Sequence, residues 1–180
     1  MKFLYYLTLK LTQIVWISLI CIILLSLSTY SDILQASSRL TLEQLKNFDY
    51  YIHMYNQKIK LKNGIFESKS TENYLKVSFA DVALGDLNND AQEDAAIILV
   101  SSGGGSGLFY ELAVVINNNG HPYHITSELL EDRVQINSIA IISNAIIIDM
   151  VTHGPNDPQC CPTVKKIVKY RLYRNTLIKK

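Results

Sequence analysis

The chain is poor in the residues that staple or stiffen small proteins: of 180 residues, three are cysteine, four proline and one tryptophan. Three cysteines, two of them adjacent, exclude a disulfide-framed scaffold, which needs several spaced pairs. No C-x-x-C spacing occurs, so the usual dithiol redox site is absent. Charged residues make up 18% with a net charge of +1, and no overall basic excess points to nucleic acid. The glycine run Ser101–Gly107 lacks the Lys-Ser/Thr and following helix of a phosphate loop, so it reads as a hairpin loop or as a backbone-lined ligand lip. Beyond residue 50 there is no long helical period, and no internal repeat recurs at a fixed spacing, which excludes helical bundles and multi-blade propellers.

What the chain does have is apolar mass, near half of all residues, with eleven tyrosines and many isoleucines and valines that favour strands. Residues 1–29 stand apart. Met1, Lys2 and Lys10 make a positive start, and Leu11–Leu27 is apolar apart from Thr12, Gln13, Ser18 and Ser26. A secretory signal has this form, with Ser26-x-Ser28 as a small-residue cleavage site. An uncleaved anchor of about 18 residues also fits. In either case the lysines flank the cytoplasmic end and the rest faces outward, so the chain is expected to be exported, periplasmic or anchored to the inner membrane facing the periplasm. Residues 30–39 read as a tether and 40–180 as one extracytoplasmic domain.

Ser38 to Lys46 reads as a short helix capped by Ser38. From Asp49 the apolar period becomes two. Strands are expected over Tyr50–Met54, Lys58–Leu61, Tyr74–Phe79, Asp94–Val100, Leu108–Ile116, His121–Glu128, Val134–Ile142, Ala145–His153 and Val164–Tyr173, with Asn63-Gly64 as the strongest hairpin signal. The fold class is therefore mainly β: a single antiparallel sheet, sandwich or half-barrel domain behind an N-terminal hydrophobic helix. From Lys165 to Lys180 there are seven basic residues and no acidic one. That is the solvated outer face of a strand, or a contact with an anionic membrane surface or partner.

Two stretches carry chemistry. In Gly85–Asp94, GDLNNDAQED, the residues Asp86, Asn88, Asp90 and Asp94 fall at positions one, three, five and nine of a loop. A tight turn with that spacing aims alternate oxygens at one centre, and a hard cation such as Ca²⁺ repays such crowding. Position twelve is Ile97, so the bidentate Glu of a helical Ca²⁺ hand is missing. The loop instead resembles the loop-before-strand Ca²⁺ site of integrin-type propeller repeats, D-x-D-x-D-G-x-x-D. That resemblance implies Asp86, Asn88, Asp90 and Asp94 as side-chain ligands and Gln92 as a carbonyl ligand, with Ala91 where the pattern has Gly. The competing reading is a polar loop whose Asx side chains bond their own backbone.

The second stretch is Thr152–Thr163, THGPNDPQCCPT, which holds three of the four prolines. In an oxidising compartment Cys160 and Cys161 can close a vicinal disulfide. Free buried thiols, soft-metal binding with His153, and bridges between molecules are the alternatives. Asp149 and His153, four apart on one strand face, draw a Cys–His–Asp set together with Cys161, though no oxyanion donors are visible. His121 and His124 have no ligand spacing to a third group.

Three stretches together, GDLNNDAQEDAAIILVSSGGGSGLFYELAVVIN, LLEDRVQINSIAI and IIIDMVTHGPNDPQCCPT, resemble a family of small exported bacterial proteins, often lipoproteins, with one β-rich domain and no assigned activity. The likeness spans roughly residues 40–173. The family's acidic loop usually reads GDLNGDG, from which Asn89 and Ala91 depart. The resemblance implies export and a single domain, and supplies no catalytic residues. The expectation is a non-enzymatic binding or structural module of the cell envelope. It would carry one Ca²⁺-held loop, meet the membrane through its N-terminal segment if that is retained, and have a protein or small ligand as partner. The alternative is a thiol-based redox or soft-metal protein using Cys160 and Cys161, and a third reading is a cysteine hydrolase.

Overall fold

In a computed structural model of the chain, the described residues are 16, 19–26, 39–69, 74–131, 133–158 and 160–180. The chain divides into two compact units, residues 1–37 and 38–180. Of the first, Trp16 and residues 19–26 are described, in helical conformation and exposed. No helix among the described residues is long and apolar enough to cross a membrane. The rest of the expected leader and nearly all of the tether lie outside the described residues.

The second unit is mainly β. It opens with helix α1 (Leu42–Lys46), capped by Thr41 rather than Ser38. Thr41 Oγ1 accepts the Gln44 N–H, while the Gln44 side chain accepts the Thr41 N–H, a reciprocal capping box. A small hairpin follows, β1 (Asp49–Ile52) and β2 (Gln57–Lys60), joined through a 3-10 turn at His53–Tyr55. Then come β3 (Ile65–Lys69), β4 (Tyr74–Gly85), β5 (Asp94–Ser102), β6 (Phe109–Asn118) and β7 (His121–Leu129), which form one antiparallel sheet in sequence order. The last four strands, β8 (Gln135–Ile142), β9 (Ala145–Thr152), β10 (Val164–Tyr173) and β11 (Thr176–Lys179), form a second sheet in the order β11-β10-β9-β8.

The central strand β5 explains the layering. An apolar run with no alternation belongs between two covered faces. One face of the five-stranded sheet, with Ala95, Ile97, Leu99, Ala113 and Val115, packs under Leu45, Tyr50, Ile52, Ile59 and Leu61 of α1 and the small hairpin. The other face, with Ala96, Ile98, Leu112 and Val114, packs on Ile146, Ile148, Met150, Val168 and Tyr170 of the four-stranded sheet. Each buried Val, Leu, Ile or Met among them contributes roughly 2 kcal/mol by leaving water. β4 carries a bulge between Phe79 and Asp81, and β6 another between Val114 and Val115; both sharpen the twist and curl the sheet.

Asn63-Gly64 is the tight turn its sequence announces, with φ of 52° and 81°. It does not make a full hairpin. Only Lys62 and Ile65 bridge across it. β2 stays in the outer layer, while β3 pairs with β4. The apolar residues on either side of the turn are needed in different layers, and that overrides local pairing.

Candidate functional site

The acidic loop is closed by its own carboxylates. Asp86 Oδ1 accepts the N–H groups of Asn88 (3.1 Å) and Asn89 (2.6 Å), and its Oδ2 accepts that of Ala91 (3.0 Å). Asn88 Oδ1 takes the Asp90 N–H at 3.0 Å, and Asp90 Oδ1 takes the Gln92 N–H at 2.8 Å. The Asn88 amide donates to Asp90 Oδ2 at 2.9 Å. The chain can wind this tightly because two residues enter the left-handed region, Asn89 at φ 67° and Ala91 at φ 65°. These are the two positions where the resembled loop, GDLNGDG, has glycine. Asn tolerates this conformation; Ala costs about 1 kcal/mol there.

Asp94 anchors the backbone on both sides of the loop. It is fully buried. Its Oδ2 accepts the Leu87 N–H and its Oδ1 the Asn117 N–H, both at 2.9 Å. Burial pushes its carboxyl up from the ordinary carboxylate range; the two backbone bonds pull the other way, and the negative charges of Asp90 and Asp86 add to the rise. Gln92 turns its side chain to the β6–β7 turn, where Oε1 accepts the Asn119 N–H at 3.2 Å. The Asn144 amide, in the β8–β9 turn, donates to the Asp86 carbonyl at 2.9 Å. Leu87 is buried in the core between the sheets. The loop thus ties together three chain reversals at one end of the sandwich.

Asp86 Oδ1 already accepts two backbone N–H groups, whereas Asp86 Oδ2, Asn88 Oδ1 and the two Asp90 oxygens accept one hydrogen bond each and keep a further lone pair. The two Asp94 oxygens likewise accept one backbone N–H each. Among the described residues, no three His, Cys, Asp or Glu side chains converge as metal ligands do.

The opposite end of β5 leads into the glycine-rich loop. Gly104, at φ 86°, lies against Tyr74, where a Cβ would come within 3.0 Å of the ring, so this position requires glycine. Ser106 and Leu108 from this loop, Tyr110 of β6, Arg133, and Cys160 and Pro162 of the proline-rich loop line one cleft of about 520 Å³. Three segments that are distant in sequence meet there. Ser106 and Leu108 place the glycine-rich loop on one wall of that cleft.

Cys160 and Cys161 are joined as a vicinal disulfide, and Cys21 is the free cysteine among the described residues. The proline-rich loop is shaped by Asp157, which sequence reading passed over. Its Oδ2 accepts the N–H groups of Gly154 and Thr163, each at 2.8 Å, and the Thr163 hydroxyl donates to the same carboxylate at 2.9 Å. The Gly154 bond first, then those from Thr163, hold its carboxyl below the usual range, helped by His153. The Asn-Asp-Pro sequence is the signal that could have found it, since Asp there favours self-bonded turns.

The drawn Cys–His–Asp set does not assemble. β9 ends at Thr152, so His153 begins the loop rather than sharing a strand face with Asp149. Asp149 accepts a bond from the Asn137 amide at 3.1 Å. Cys161 has its sulfur in the disulfide and holds no thiol.

Glu131 was also missed. Its carboxylate accepts from the Thr152 hydroxyl and from Lys166, with Lys179 at 3.6 Å. These partners lie on three different strands, so no local pattern marks them. The Lys166 bond, then the Thr152 bond, lower its carboxyl below the ordinary range against the opposing effect of burial.

Comparison of the chain with models of known protein families, with curated proteins and with solved structures finds no match.

Proposed function

We propose that this chain is an exported, non-enzymatic binding module of the cell envelope, braced at one end of its sandwich by the acidic loop and open to a small ligand at the other. The observation that carries this reading is the cleft where the glycine-rich loop, Arg133 and the disulfide loop meet. Its lining combines an arginine fork, the Ser106 hydroxyl and apolar side chains, the mixture that orients and holds a small molecule.

Ca²⁺ belongs to the brace in this proposal. Held by Asp86, Asn88 and Asp90, it would fix where β5 begins without reaching the cleft. Calorimetry with millimolar Ca²⁺ tests this part: heat of binding that disappears in Asp90→Ala supports it, and no heat in the parent protein rejects it. The cleft is tested separately by thermal-shift measurements with small carboxylates and inorganic phosphate. A stabilisation lost in Arg133→Gln supports the binding reading. An equal shift in parent and variant removes Arg133 from it.

The redox or soft-metal reading has one observation in its favour: Cys160 lies on the cleft wall. It requires the disulfide to open. Native thiol titration that finds no thiol beyond Cys21 favours the structural role, while reactive thiols with stoichiometric copper or zinc favour the alternative.

A further inference from the structure

The outer face of the four-stranded sheet carries exposed apolar side chains among the described residues. One phase of β9 and β10 buries Ile146, Ile148, Met150, Val168 and Tyr170 in the core. The other phase faces away, where a solvated sheet would alternate to polar residues. Instead, Ile167 is 73% exposed, Tyr173 60% and Ile142 60%. Strand register places Lys165 beside Val151, Lys169 beside Ile147 and Arg171 beside Ile178. The face is thus a weave of aliphatic side chains and cations. Arg174 extends it at the β10–β11 turn, its guanidinium over the Tyr173 ring at 5.6 Å. Asp149, opposite Ile167, is the acidic residue on this phase among the described strands. Lys166, on the inner phase, pairs with Glu131 instead, as does Lys179 on β11.

We propose that this face lies on the surface of an anionic phospholipid bilayer. Phosphate headgroups attract Lys165, Lys169, Arg171 and Arg174. The long lysine and arginine stems reach outward while the apolar tips between them enter the headgroup boundary. Tyr173, apolar in body and polar at its tip, suits that boundary. An acidic protein would answer the cations but leave Ile167, Ile142 and Ile178 against polar groups; a lipid interface takes both. The proposal stands on the sheet alone and does not depend on calcium or on the cleft.

The test places a reporter at the most exposed apolar position. Full-length chain carrying Ile167→Trp in a Trp16→Phe background is reconstituted into vesicles bearing a lipid-attached quencher. With phosphatidylglycerol present, the Trp emission is expected to shift to the blue and to be quenched. In the combined variant Lys165→Gln, Lys169→Gln and Arg171→Gln, whose side chains are outside the core, the ratio of lipid-docked to undocked faces read from the quenching should fall by on the order of a hundredfold, about fivefold per cation. Circular dichroism confirms that the fold is retained, and Ile167→Ser in the parent gives a second variant that should weaken binding with all charges kept. Emission that is the same with and without anionic lipid overturns the proposal. So does protection by soluble polyglutamate without quenching by vesicles, which would assign the face to an acidic protein.

Discussion

Asp94 Oδ1 accepts the backbone N–H of Asn117, 23 residues further along the chain, at 2.9 Å in the fully buried core. Through its other oxygen the same carboxylate holds Leu87. One side chain therefore joins the end of the acidic loop to the β6–β7 hairpin. Truncation leaves two buried N–H groups without acceptors, and each such loss costs a sizeable part of its desolvation energy. Asp94→Ala is expected to lower unfolding stability by about 2–4 kcal/mol, measured by urea denaturation. A loss under about 0.5 kcal/mol would refute the staple.

Ala91 offers the reverse experiment. At φ 65° it holds a conformation that disfavours a Cβ. Glycine there removes the clash, although it also gains entropy in the unfolded chain. The net expectation for Ala91→Gly is stabilisation by about 0.5–1 kcal/mol, read as a rise in melting temperature of a few degrees. A fall in melting temperature would show that the methyl group contributes something the backbone strain conceals.

His124 gives the fold a pH dependence. Its Nε2 lies 2.8 Å from the Ser127 hydroxyl, and its ring meets Tyr50 edge-on at 5.7 Å. Burial depresses its pKa from 6.5 to about 4; the bond to the Thr126 backbone opposes this, and the electrostatic effects of His53 and Lys58 add smaller depressions. The unfolded chain therefore binds a proton that the folded one refuses between those values. Stability is full above pH 6.5 and declines as pH falls toward 4, by about 2–3 kcal/mol at most. His124→Gln should flatten that decline when urea midpoints at pH 7 and pH 4.5 are compared. An unchanged slope assigns the titration elsewhere.

The disulfide and Asp157 shape the same loop by different means. A bond between adjacent residues closes almost no chain, so it removes little entropy from the unfolded state. Cys160→Ser with Cys161→Ser is expected to shift the melting temperature by no more than a degree or two, in line with a cost of about 0.5 kcal/mol. Asp157→Ala removes the acceptor shared by Gly154 and Thr163. It should cost more than the double cysteine variant and should raise protease cleavage between Thr152 and Thr163. The opposite ranking would make the sulfur bridge the organiser of the loop.

Much of the fold is legible in residue order because the signals are local. Ser143-Asn144 reads as a tight turn and is one, with both residues left-handed. The unbroken apolar run after Asp94 marks β5 as central. β11 escaped notice because four residues after Arg174 carry too little pattern to separate from a tail. The acidic loop was legible in its spacing, while the backbone bonds Asp94 makes to Leu87 and Asn117 were not, because Asn117 lies on another strand. The cleft was not legible at all, since Ser106, Arg133 and Cys160 become neighbours only when the two sheets stack. Glu131 was hidden for the same reason: Thr152, Lys166 and Lys179 reach it from separate strands.

The adjacency of Cys160 and Cys161 has a bearing on biogenesis. Beyond residue 37 these are the only sulfhydryls the chain can present to an oxidant. Intramolecular oxidation there has a single product, with no mispaired isomer to be reshuffled. Maturation of this unit can thus finish without an isomerase, and the order in which sheet assembly and sulfur oxidation occur makes no difference to the end state.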